Sequence, residues 1–392
     1  MSKVIYMDNN ATTRVAPEVL EAMLPYFSEL YGNPSSMHRF GGEVGRAITR
    51  ARAQVANLLG ATPEEIIFTS CGTESDSTAI LSAVRANPEK RHLVISRVEH
   101  PAVKNLAESL HNLTGHKYQV TSLGVDSEGM LDLEEYREAL NDDTAMVSVM
   151  MANNETGVIF PIAEMAEIAK ERGILFHTDA VQAVGKVPIN LQELPVDFLS
   201  LSGHKLHAPK GVGVLYVRKG SPYAPFVIGG HQERGRRGGT ENSASIIGLG
   251  KACELAGMMM NMENTKVKKL RDKLEEGLLA KIPNSLLNGH KTCRLPNTTN
   301  ISFEYVEGEA ILLHLDEYNI CASSGSACTS GSLEPSHVMR AMGVPFTAAH
   351  GSIRFSLSVF NTEDEVDFIV EKLPPIIANL REMSPFWHNR DK

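Results

Sequence analysis

The chain is organised around the segment Phe198-Leu199-Ser200-Leu201-Ser202-Gly203-His204-Lys205. Its apolar first half predicts a buried strand, which places Lys205 just beyond the strand's carboxyl end. A second buried-looking strand, residues 174–178, leads into Asp179, and Gln182 follows closely. Because ligands bind beyond the carboxyl ends of the strands in α/β sheets, we expect Lys205 and Asp179 to meet in one site. An ordinary surface lysine is the alternative for Lys205 taken alone.

A lysine and an aspartate at neighbouring strand ends are typical of enzymes that use pyridoxal phosphate. In such sites the lysine binds the aldehyde of the cofactor and the carboxylate pairs with its ring nitrogen. The segment 69–75 adds a second indication, because it follows an apolar run and begins a helical pattern. Free N–H groups at a helix N-terminus attract anions such as a phosphate. These positions predict a pyridoxal phosphate site, with a plain helix cap as the alternative role for Thr73.

Short apolar runs alternate with helical patterns over most of the chain, which indicates βα units around a mostly parallel sheet. The helical pattern at residues 245–281 leads to a part, residues 285–384, that mixes strands and helices as a smaller α+β domain would. Helices are also predicted at residues 17–24 and 41–60, the second closed by Gly60. The strand-like runs are residues 65–69, 93–96, 146–150, 175–177, 198–200, 213–217, 299–303 and 352–356.

Composition predicts an ordinary globular protein, since 42% of its 392 residues are hydrophobic and 22% are charged, and a chain of this length favours two domains. The net charge of −9 argues against general binding of nucleic acid. The five cysteines are scattered, which argues against a disulfide framework or a zinc site and fits a reducing cytosol. Asp8 comes too early for a signal peptide, and no apolar run approaches a membrane span. We therefore expect a cytoplasmic protein that binds neither membranes nor nucleic acid.

A series of motifs along the whole chain resembles the NifS-type cysteine desulfurases, which belong to the class V aminotransferases and are fold-type I pyridoxal phosphate enzymes. The resemblance implies a large cofactor-binding domain at residues 15–255, with a mostly parallel seven-stranded sheet. It also implies a small α+β domain, residues 1–14 and 256–392, that carries a mobile loop with the catalytic cysteine. The motifs are residues 7–13, 32–36, 69–75, 99–103, 153–157, 174–182, 202–210, 236–242, 323–330 and 354–356.

The resemblance implies a role for each residue of the cofactor site. Lys205 would anchor the cofactor and remove the proton from the substrate α-carbon, which requires a lowered pKa. Asp179 would pair with the ring nitrogen, and His100 would lie on the ring face and shuttle a proton. Gln182 and Asn154 would bind the side of the ring that carries the hydroxyl. The phosphate end is assigned to Gly72, Thr73, Ser202, His204 and Thr240.

Simpler explanations remain open for these residues. His100 could be a satisfied core imidazole, and Asn154 could belong only to the turn at residues 153–157. His204 and His207 lie three positions apart without accompanying acidic ligands, so a zinc site is not indicated.

The segment 323–332 is small, polar and flexible, which is typical of a mobile loop. Its Cys328 is predicted to be an exposed thiol, whereas Cys321 and Cys253 are predicted to be buried and structural. The resemblance implies that Cys328 takes the sulfur of the substrate as a persulfide. Arg354 would bind the substrate carboxylate together with Asn154. An incidental loop cysteine and a structural ion pair of Arg354 are the alternatives.

The segment 231–242 carries arginines among glycines and supports two interpretations. By resemblance it crosses the interface of a homodimer and provides Thr240 to the phosphate site of the partner. Alternatively its arginines contact RNA phosphates, which the short run, the lack of aromatic residues and the acidic chain disfavour.

Taken together, the resemblance implies conversion of L-cysteine to L-alanine, with the sulfur passing to a U-type iron–sulfur scaffold protein for nitrogenase maturation. General cluster assembly or nucleoside thiolation are alternative destinations of the sulfur. A relative that acts on selenocysteine or another amino acid is an alternative enzyme. An iron–sulfur carrier is the alternative outside enzymes, although cluster ligation needs about four closely spaced thiolates.

Overall fold

The fold is described from a computed structural model, which covers residues 4–324 and 334–388 apart from the side chain of His111. Its strands are β1 (Ile5–Tyr6), β2 (Ile66–Thr69), β3 (His92–Ser96), β4 (Gln119–Leu123), β5 (Thr144–Ser148), β6 (Leu175–Asp179), β7 (Phe198–Ser202), β8 (Gly213–Val217), β9 (Ser285–Leu287), β10 (Thr298–Phe303), β11 (Ile320–Cys321) and β12 (Ser352–Ser356).

Its α-helices are α1 (Pro17–Met23), α2 (Pro25–Ser28), α3 (Arg39–Leu59), α4 (Gly72–Ala86), α5 (Pro101–Thr114), α6 (Leu133–Ala139), α7 (Ile162–Glu171), α8 (Ser243–Met262), α9 (Lys268–Lys281), α10 (Gly308–Asp316), α11 (His337–Ala341), α12 (Phe346–Ala349), α13 (Glu363–Met383) and α14 (Pro385–His388). A π-helical turn, Glu263–Val267, joins α8 to α9.

A seven-stranded sheet forms the centre of the molecule, in the order β2-β8-β7-β6-β5-β3-β4. Only β8 runs antiparallel to its neighbours, and the other pairs are parallel. The predicted mostly parallel seven-stranded sheet is therefore confirmed. The pairing of β6 with β7 sets Asp179 opposite Ser200, so Lys205 follows at the same edge of the sheet as Asp179.

The strand-like runs of the sequence all fall within strands to within two residues. The short strands β1, β9 and β11 were missed, and so was β4. Its sequence, Gln119 to Leu123, is half polar, and it lies at the edge of the sheet with partly exposed side chains. The helix predicted at residues 41–60 begins two residues earlier and ends at Gly60, whose φ of 63° is left-handed. A Cβ at Gly60 would also lie 2.5 Å from Asn190 Oδ1, so glycine is required there.

A second group of strands lies in the C-terminal part, where β12, β10 and β9 form an antiparallel sheet and β1 pairs with β11. Helices α9 and α13 pack together and α9 covers β10. Their apolar faces enclose a core of their own, which includes Ile5, Leu274, Phe303, Phe355 and Ile369. The N-terminal strand thus joins the C-terminal core. The domain boundary at residues 255/256 stays a prediction, and it falls inside α8.

Among the described helices, none has the length and apolar character that crossing a bilayer demands.

Candidate active site

Lys205 lies on a single helical turn, Gly203–Lys205, directly after β7. Its Nζ donates hydrogen bonds to the carbonyl oxygen atoms of Asn10 and Ala11, the second at 2.8 Å. Burial, together with the nearby cations Arg354 and Lys186, lowers the pKa of the Lys205 amine to about 8. About a tenth of the amine is then neutral at pH 7, far more than for an ordinary lysine. This is the lowered pKa that a base at the α-carbon requires.

Asp179 ends β6 and is almost fully buried. Its Oδ1 accepts the N–H of Val181 at 2.8 Å. Burial raises the pKa of Asp179, while the neighbouring His100 and Lys205 oppose that rise. The carboxylate therefore lies in a site of low polarity where a bound cation would stabilise its charge.

His100 directly precedes α5, and its Nδ1 accepts the N–H of Ala102 at 3.1 Å. In the neutral ring the proton must then be on Nε2. Burial lowers the pKa of His100, with Asp179 acting in the opposite direction and Lys205 in the same one. His100 is therefore a neutral imidazole close to both charged groups of the site.

Asn10 connects the residues of the site, which was not foreseen from the sequence. Besides Lys205, its carbonyl oxygen accepts from Gln182 Nε2 at 3.0 Å. Its side-chain Nδ2 donates to the carbonyl oxygen of Asn154 at 3.2 Å and to Thr298 Oγ1 at 2.8 Å. Residues 8–10 belong to one of the motifs of the sequence, but only the fold shows that this segment contacts several residues of the site.

The N-terminus of α4 forms one wall of the site. A Cβ at Gly72 would lie 2.9 Å from Val181 Cγ2 and 3.5 Å from Ser202 Cβ, so the helix start, β7 and the segment after β6 converge there. Cys71 occupies the N-cap position without a side-chain cap hydrogen bond. The alternative role of Thr73 as a helix cap is therefore wrong, and its side chain is exposed.

His204 lies beside the same region, where its Nδ1 is 3.1 Å from Thr12 Oγ1. Burial lowers the pKa of His204 to about 4, and the cations Lys205 and Lys210 add to this effect. A neutral imidazole can still donate one N–H to an anion.

These residues fit pyridoxal phosphate by the groups that they leave available. Oε1 of Gln182 is buried without a hydrogen-bond partner and can accept a hydroxyl. The carboxyl of Asp179 is buried beside a desolvated amine at Lys205. The start of α4 at Gly72 presents free backbone N–H groups to a phosphate. The donor set thus matches the ring hydroxyl, ring nitrogen, aldehyde and phosphate of the cofactor.

Arg354, on β12, is already in an ion pair. Its Nη2 lies 2.7 Å from Asp8 Oδ1, and Nη1 donates to the carbonyl oxygen of Asn154 at 3.0 Å. Its Nε is buried without a partner. The structure brings Arg354 to the site as predicted, and it adds Asp8, an acidic partner that sequence spacing could not reveal.

The segment 231–242 is tied to its own chain. Arg52 donates to both oxygen atoms of Glu233 at 2.6 Å, and Arg237 donates to Glu74 at 2.9 and 3.1 Å. Because Arg237 neutralises the internal carboxylate of Glu74, it has little charge left for RNA phosphates. The RNA alternative thereby loses its main support.

The other arginines of the segment also bind groups of their own chain, in this case backbone carbonyl oxygen atoms. Arg234 donates to the carbonyl oxygen of Ile66 at 2.7 Å, and Arg236 donates to that of Glu64. Thr240, beyond these anchors, is exposed. Its predicted contact with a second copy of the chain stays a prediction.

Cys328 lies outside the described residues, so its role stays a prediction. Cys253 is buried, as predicted, and burial raises its pKa to about 12. The burial predicted for Cys321 is wrong in part, because its strand β11 belongs to a two-stranded sheet with β1 and its side chain stays partly exposed. Within residues 4–324 and 334–388, no group of three or more His, Cys, Asp or Glu is arranged to hold a metal ion.

Comparisons with known proteins identify the family of the chain. The family described as aminotransferase class-V matches residues 5–369. The protein named cysteine desulfurase NifS from Azotobacter vinelandii is 61% identical over 384 residues, which are 98% of this chain and 95% of that protein. Cysteine desulfurase 2 of Trichormus variabilis is 61% identical over 388 residues, which are 99% of this chain and 96% of that protein. A solved structure described as a NifS-like protein superposes with a TM-score of 0.90 at 39% identity and covers 96% of this chain and 100% of its own.

Proposed function

The chain belongs to the class-V aminotransferase family and is a cysteine desulfurase that depends on pyridoxal phosphate, and on that premise we propose the role of each residue in its site. The observation that supports these roles most directly is the buried Lys205 amine, whose pKa is lowered to about 8, at the same sheet edge as the buried Asp179. The reaction converts L-cysteine to L-alanine and leaves the sulfur on the enzyme.

Lys205, Asp179, Gln182, His204 and the start of α4 would hold the cofactor. Bound pyridoxal phosphate supplies an electron-withdrawing ring that stabilises negative charge on the α-carbon of the substrate. Asp179 keeps the ring nitrogen cationic, because its buried carboxylate gains most from a positive partner.

Lys205 and His100 would move the protons of the reaction. The neutral amine of Lys205 accepts the proton from the substrate α-carbon, which its lowered pKa of about 8 permits near neutral pH. His100 carries its proton on Nε2, since Nδ1 is occupied by the N–H of Ala102. The neutral ring can therefore shuttle a proton only by taking one up at Nδ1, in place of the Ala102 hydrogen bond, and releasing one from Nε2.

Arg354 would bind the substrate carboxylate through its unpartnered Nε and through Nη2, which it now shares with Asp8. The ion pair with Asp8 holds the guanidinium in place before the substrate arrives, and Asn154 holds it through a backbone carbonyl. A substrate carboxylate would thus take the place of Asp8 on the Arg354 guanidinium or bind beside it. In either case the guanidinium is not an isolated buried cation before the substrate binds.

Cys328 would accept the sulfur. Its thiolate attacks the sulfur of the substrate, the bond between that sulfur and the substrate β-carbon breaks, and a new S–S bond forms. The carbon fragment gains protons and leaves as alanine, so one cysteine and one thiol yield one alanine and one persulfide. No external oxidant is needed.

The chain would act as a cytoplasmic homodimer in which the exposed Thr240 of each copy completes the phosphate site of the other. A U-type iron–sulfur scaffold protein would receive the sulfur, in support of nitrogenase maturation. The relatives whose names include NifS support this destination.

The test combines three measurements on the purified protein. Borohydride reduction of the purified protein should bond the cofactor to the Lys205 peptide. Added L-cysteine should yield alanine in catalytic amounts, and the Cys328 peptide should gain about 32 Da that a thiol removes. Cys328→Ser should lose alanine turnover and the added mass while it retains the bound cofactor. The matched control Cys321→Ser, at a partly exposed cysteine, should keep all three.

Other outcomes identify the alternatives. Added mass on Cys321 or Cys293 would show that Cys328 is not the sulfur acceptor. Turnover of selenocysteine without turnover of cysteine would reveal a different substrate. A brown protein with labile iron and sulfide, and no cofactor trapped by borohydride, would identify a carrier.

Dimer complementation tests Thr240. Heterodimers of Thr240→Ala and Lys205→Ala chains contain one site without either change if Thr240 serves the partner. Cofactor occupancy should then recover in part, whereas no recovery after proven subunit exchange would show that Thr240 does not serve its partner.

A further inference from the structure

A buried carboxyl with no role in the proposed reaction lies behind the cofactor site. Asp76, on α4, is 1% exposed, and its Oδ1 has no hydrogen-bond partner. Two further buried carboxyls, Asp179 and Glu99, are close enough to influence it electrostatically. None of the three has an ion pair with a lysine or arginine among the described residues. Three neighbouring carboxylates in a dry site cannot all be ionised, because like charges repel strongly at low polarity.

The contacts of Asp76 are suited to a protonated carboxyl. The Nε2 of His177 lies 3.5 Å from its Oδ1, and Ser200 Oγ, which is 2.9 Å from the same Nε2, is near enough to act on the carboxyl. His177 is fully buried, and burial lowers its pKa to about 3, so it is a neutral ring. Without a cation beside it, Asp76 gains little from being ionised.

The hydrogen bonds around His177 form one continuous chain. Its Nε2 lies 2.9 Å from Ser200 Oγ, and its Nδ1 lies 2.8 Å from Ser148 Oγ. If Asp76 is protonated, each donor finds an acceptor in order: Asp76 donates to Ser200, Ser200 to His177 Nε2, and His177 Nδ1–H to Ser148. An ionised Asp76 would reverse this order and place the imidazole proton on Nε2.

The single negative charge of the group belongs on Asp179. It accepts a backbone N–H from Val181 and lies near the cationic Lys205, and both favour its ionised form, as His100 does when its ring is protonated. Asp179 also lies two residues after His177 on β6, so both side chains are on the face of the sheet that α4 covers. Glu99 accepts hydrogen bonds at Oε1 from Ser96 and the N–H of Met150, but burial still raises its pKa to about 8, and its buried Oε2 has no partner among the described residues, so Glu99 is mostly protonated at pH 7.

We propose that Asp76 is a protonated carboxyl that donates into the chain Ser200–His177–Ser148 and so leaves Asp179 as the one carboxylate that faces the cofactor. Asp76 is thus a positioning residue, which sets the charge of the group that contacts the ring nitrogen. The protonation state concerns the protein itself, and only its consequence for the cofactor rests on the proposed function. The titratable groups that face Asp76 are Asp179, Glu99, Cys71 and His177.

The first test compares the full chain and Asp76→Asn, both saturated with pyridoxal phosphate, in denaturant unfolding at several pH values. A carboxyl whose pKa is raised in the folded state makes the folded protein less stable as pH rises above about 4, until the folded pKa is reached. The unfolding constant of the wild type should therefore rise by up to about tenfold per pH unit relative to Asp76→Asn in this window. A stability difference that stays constant with pH, or moves in the opposite direction, would overturn the proposal.

The second test begins with the wild-type protein, so its main result does not depend on whether a variant folds. Nitrogen-15 NMR of labelled histidines should show His177 neutral, with its proton on Nδ1. A proton on Nε2, or on both nitrogen atoms, would show that Asp76 is ionised. Asp76→Asn should preserve the Nδ1–H form, because its amide N–H can donate to Ser200 as the acid does, while Ser200→Ala should break the chain.

The third test separates this proposal from the proposed function. In cofactor-loaded protein, Asp76→Asn should retain the visible absorption spectrum of the wild type, and Asp179→Asn should alter it. The reverse result would assign the charge to Asp76 and refute the proposal. If the chain made no alanine from cysteine but the first two tests succeeded, the proposed function would fail and the protonation of Asp76 would stand.

Discussion

The buried charges around Lys205 and those around Arg294 are held in opposite ways. Arg294 donates to both oxygen atoms of Glu275, at 2.6 and 2.7 Å, and Thr299 adds a third bond to that carboxylate at 2.6 Å. Within the described residues, the hydrogen-bond partners of Lys205 are backbone carbonyl groups and that of Asp179 is a backbone N–H. Paired charges of the first kind hold the small C-terminal core together. Charges of the second kind keep shifted pKa values and remain free for a reaction.

The comparison predicts the largest effect for Lys205→Ala. Alanine release should fall by more than about a thousandfold, because the change removes both the cofactor anchor and the base. The free energy of unfolding should not fall, since a desolvated amine that raises the energy of the folded state is removed. Steady-state assays and urea unfolding on the same preparation measure both effects, and near-normal alanine release would refute the role of Lys205.

Arg294→Met should show the reverse pattern. It leaves the Glu275 carboxylate buried without its cation, which costs about 3–5 kcal/mol of unfolding free energy. Turnover per folded molecule should stay close to that of the wild type. Urea unfolding gives the stability, and the double variant Arg294→Met/Glu275→Leu is the control, because it removes both charges and should recover part of the loss. A stable Arg294→Met would mean that the ion pair contributes nothing.

The pKa of Lys205 predicts a pH dependence for capture of the cofactor. Covalent capture needs the neutral amine, so its rate in cofactor-free protein should rise with pH and level off above about 8, the lowered pKa, instead of near the ordinary value of 10.5. Between pH 8 and pH 6 the rate should fall by up to about tenfold per unit. Stopped-flow absorbance measures it. A rate that continues to rise steeply above pH 9 would show that burial does not lower this pKa.

The smallest effects should come from Asp8 and Arg354, and they should have opposite signs. Arg354 lowers the pKa of Lys205 and Asp8 raises it. In the same capture assay, Arg354→Gln should move the midpoint to higher pH, and Asp8→Asn should move it to lower pH, each by less than about one unit. Equal shifts in one direction would mean that the two changes act through the shape of the site and not through charge.

Most of the large sheet could be predicted from the sequence. The buried strands of this sheet contain short apolar runs, which stand out at β3, β5, β6, β7 and β8. Edge strand β4 and the short strands β1, β9 and β11 carry weaker patterns, since their side chains are only partly buried. Pairing of β1 with β11, more than 300 residues away in the chain, has no local signal at all.

The residues of the candidate site show the same difference between local signals and contacts that are distant in sequence. Four parts of the site lie at the end of a strand or shortly after it: Lys205, Asp179, His100 and the start of α4. Their positions along the chain therefore implied that they meet. Asp8, Asn10, Asp76 and His177 were not assigned a role, because each acts through a contact with a residue that is distant in sequence. Their polar side chains look like ordinary surface or turn residues until the fold buries them.

The sequence by itself determined the alternation of strands and helices along the chain, the sheet edge where lysine and aspartate meet, and the chemistry that such a pair supports. Only the tertiary structure decided which charges are paired, which are desolvated and which protons they keep. The physical reason is that the apolar period of a strand is a local property, whereas a pKa depends on burial and on charges brought close from elsewhere in the chain. The pKa of the Lys205 amine is lowered because the fold buries it and brings Arg354 and Lys186 close to it.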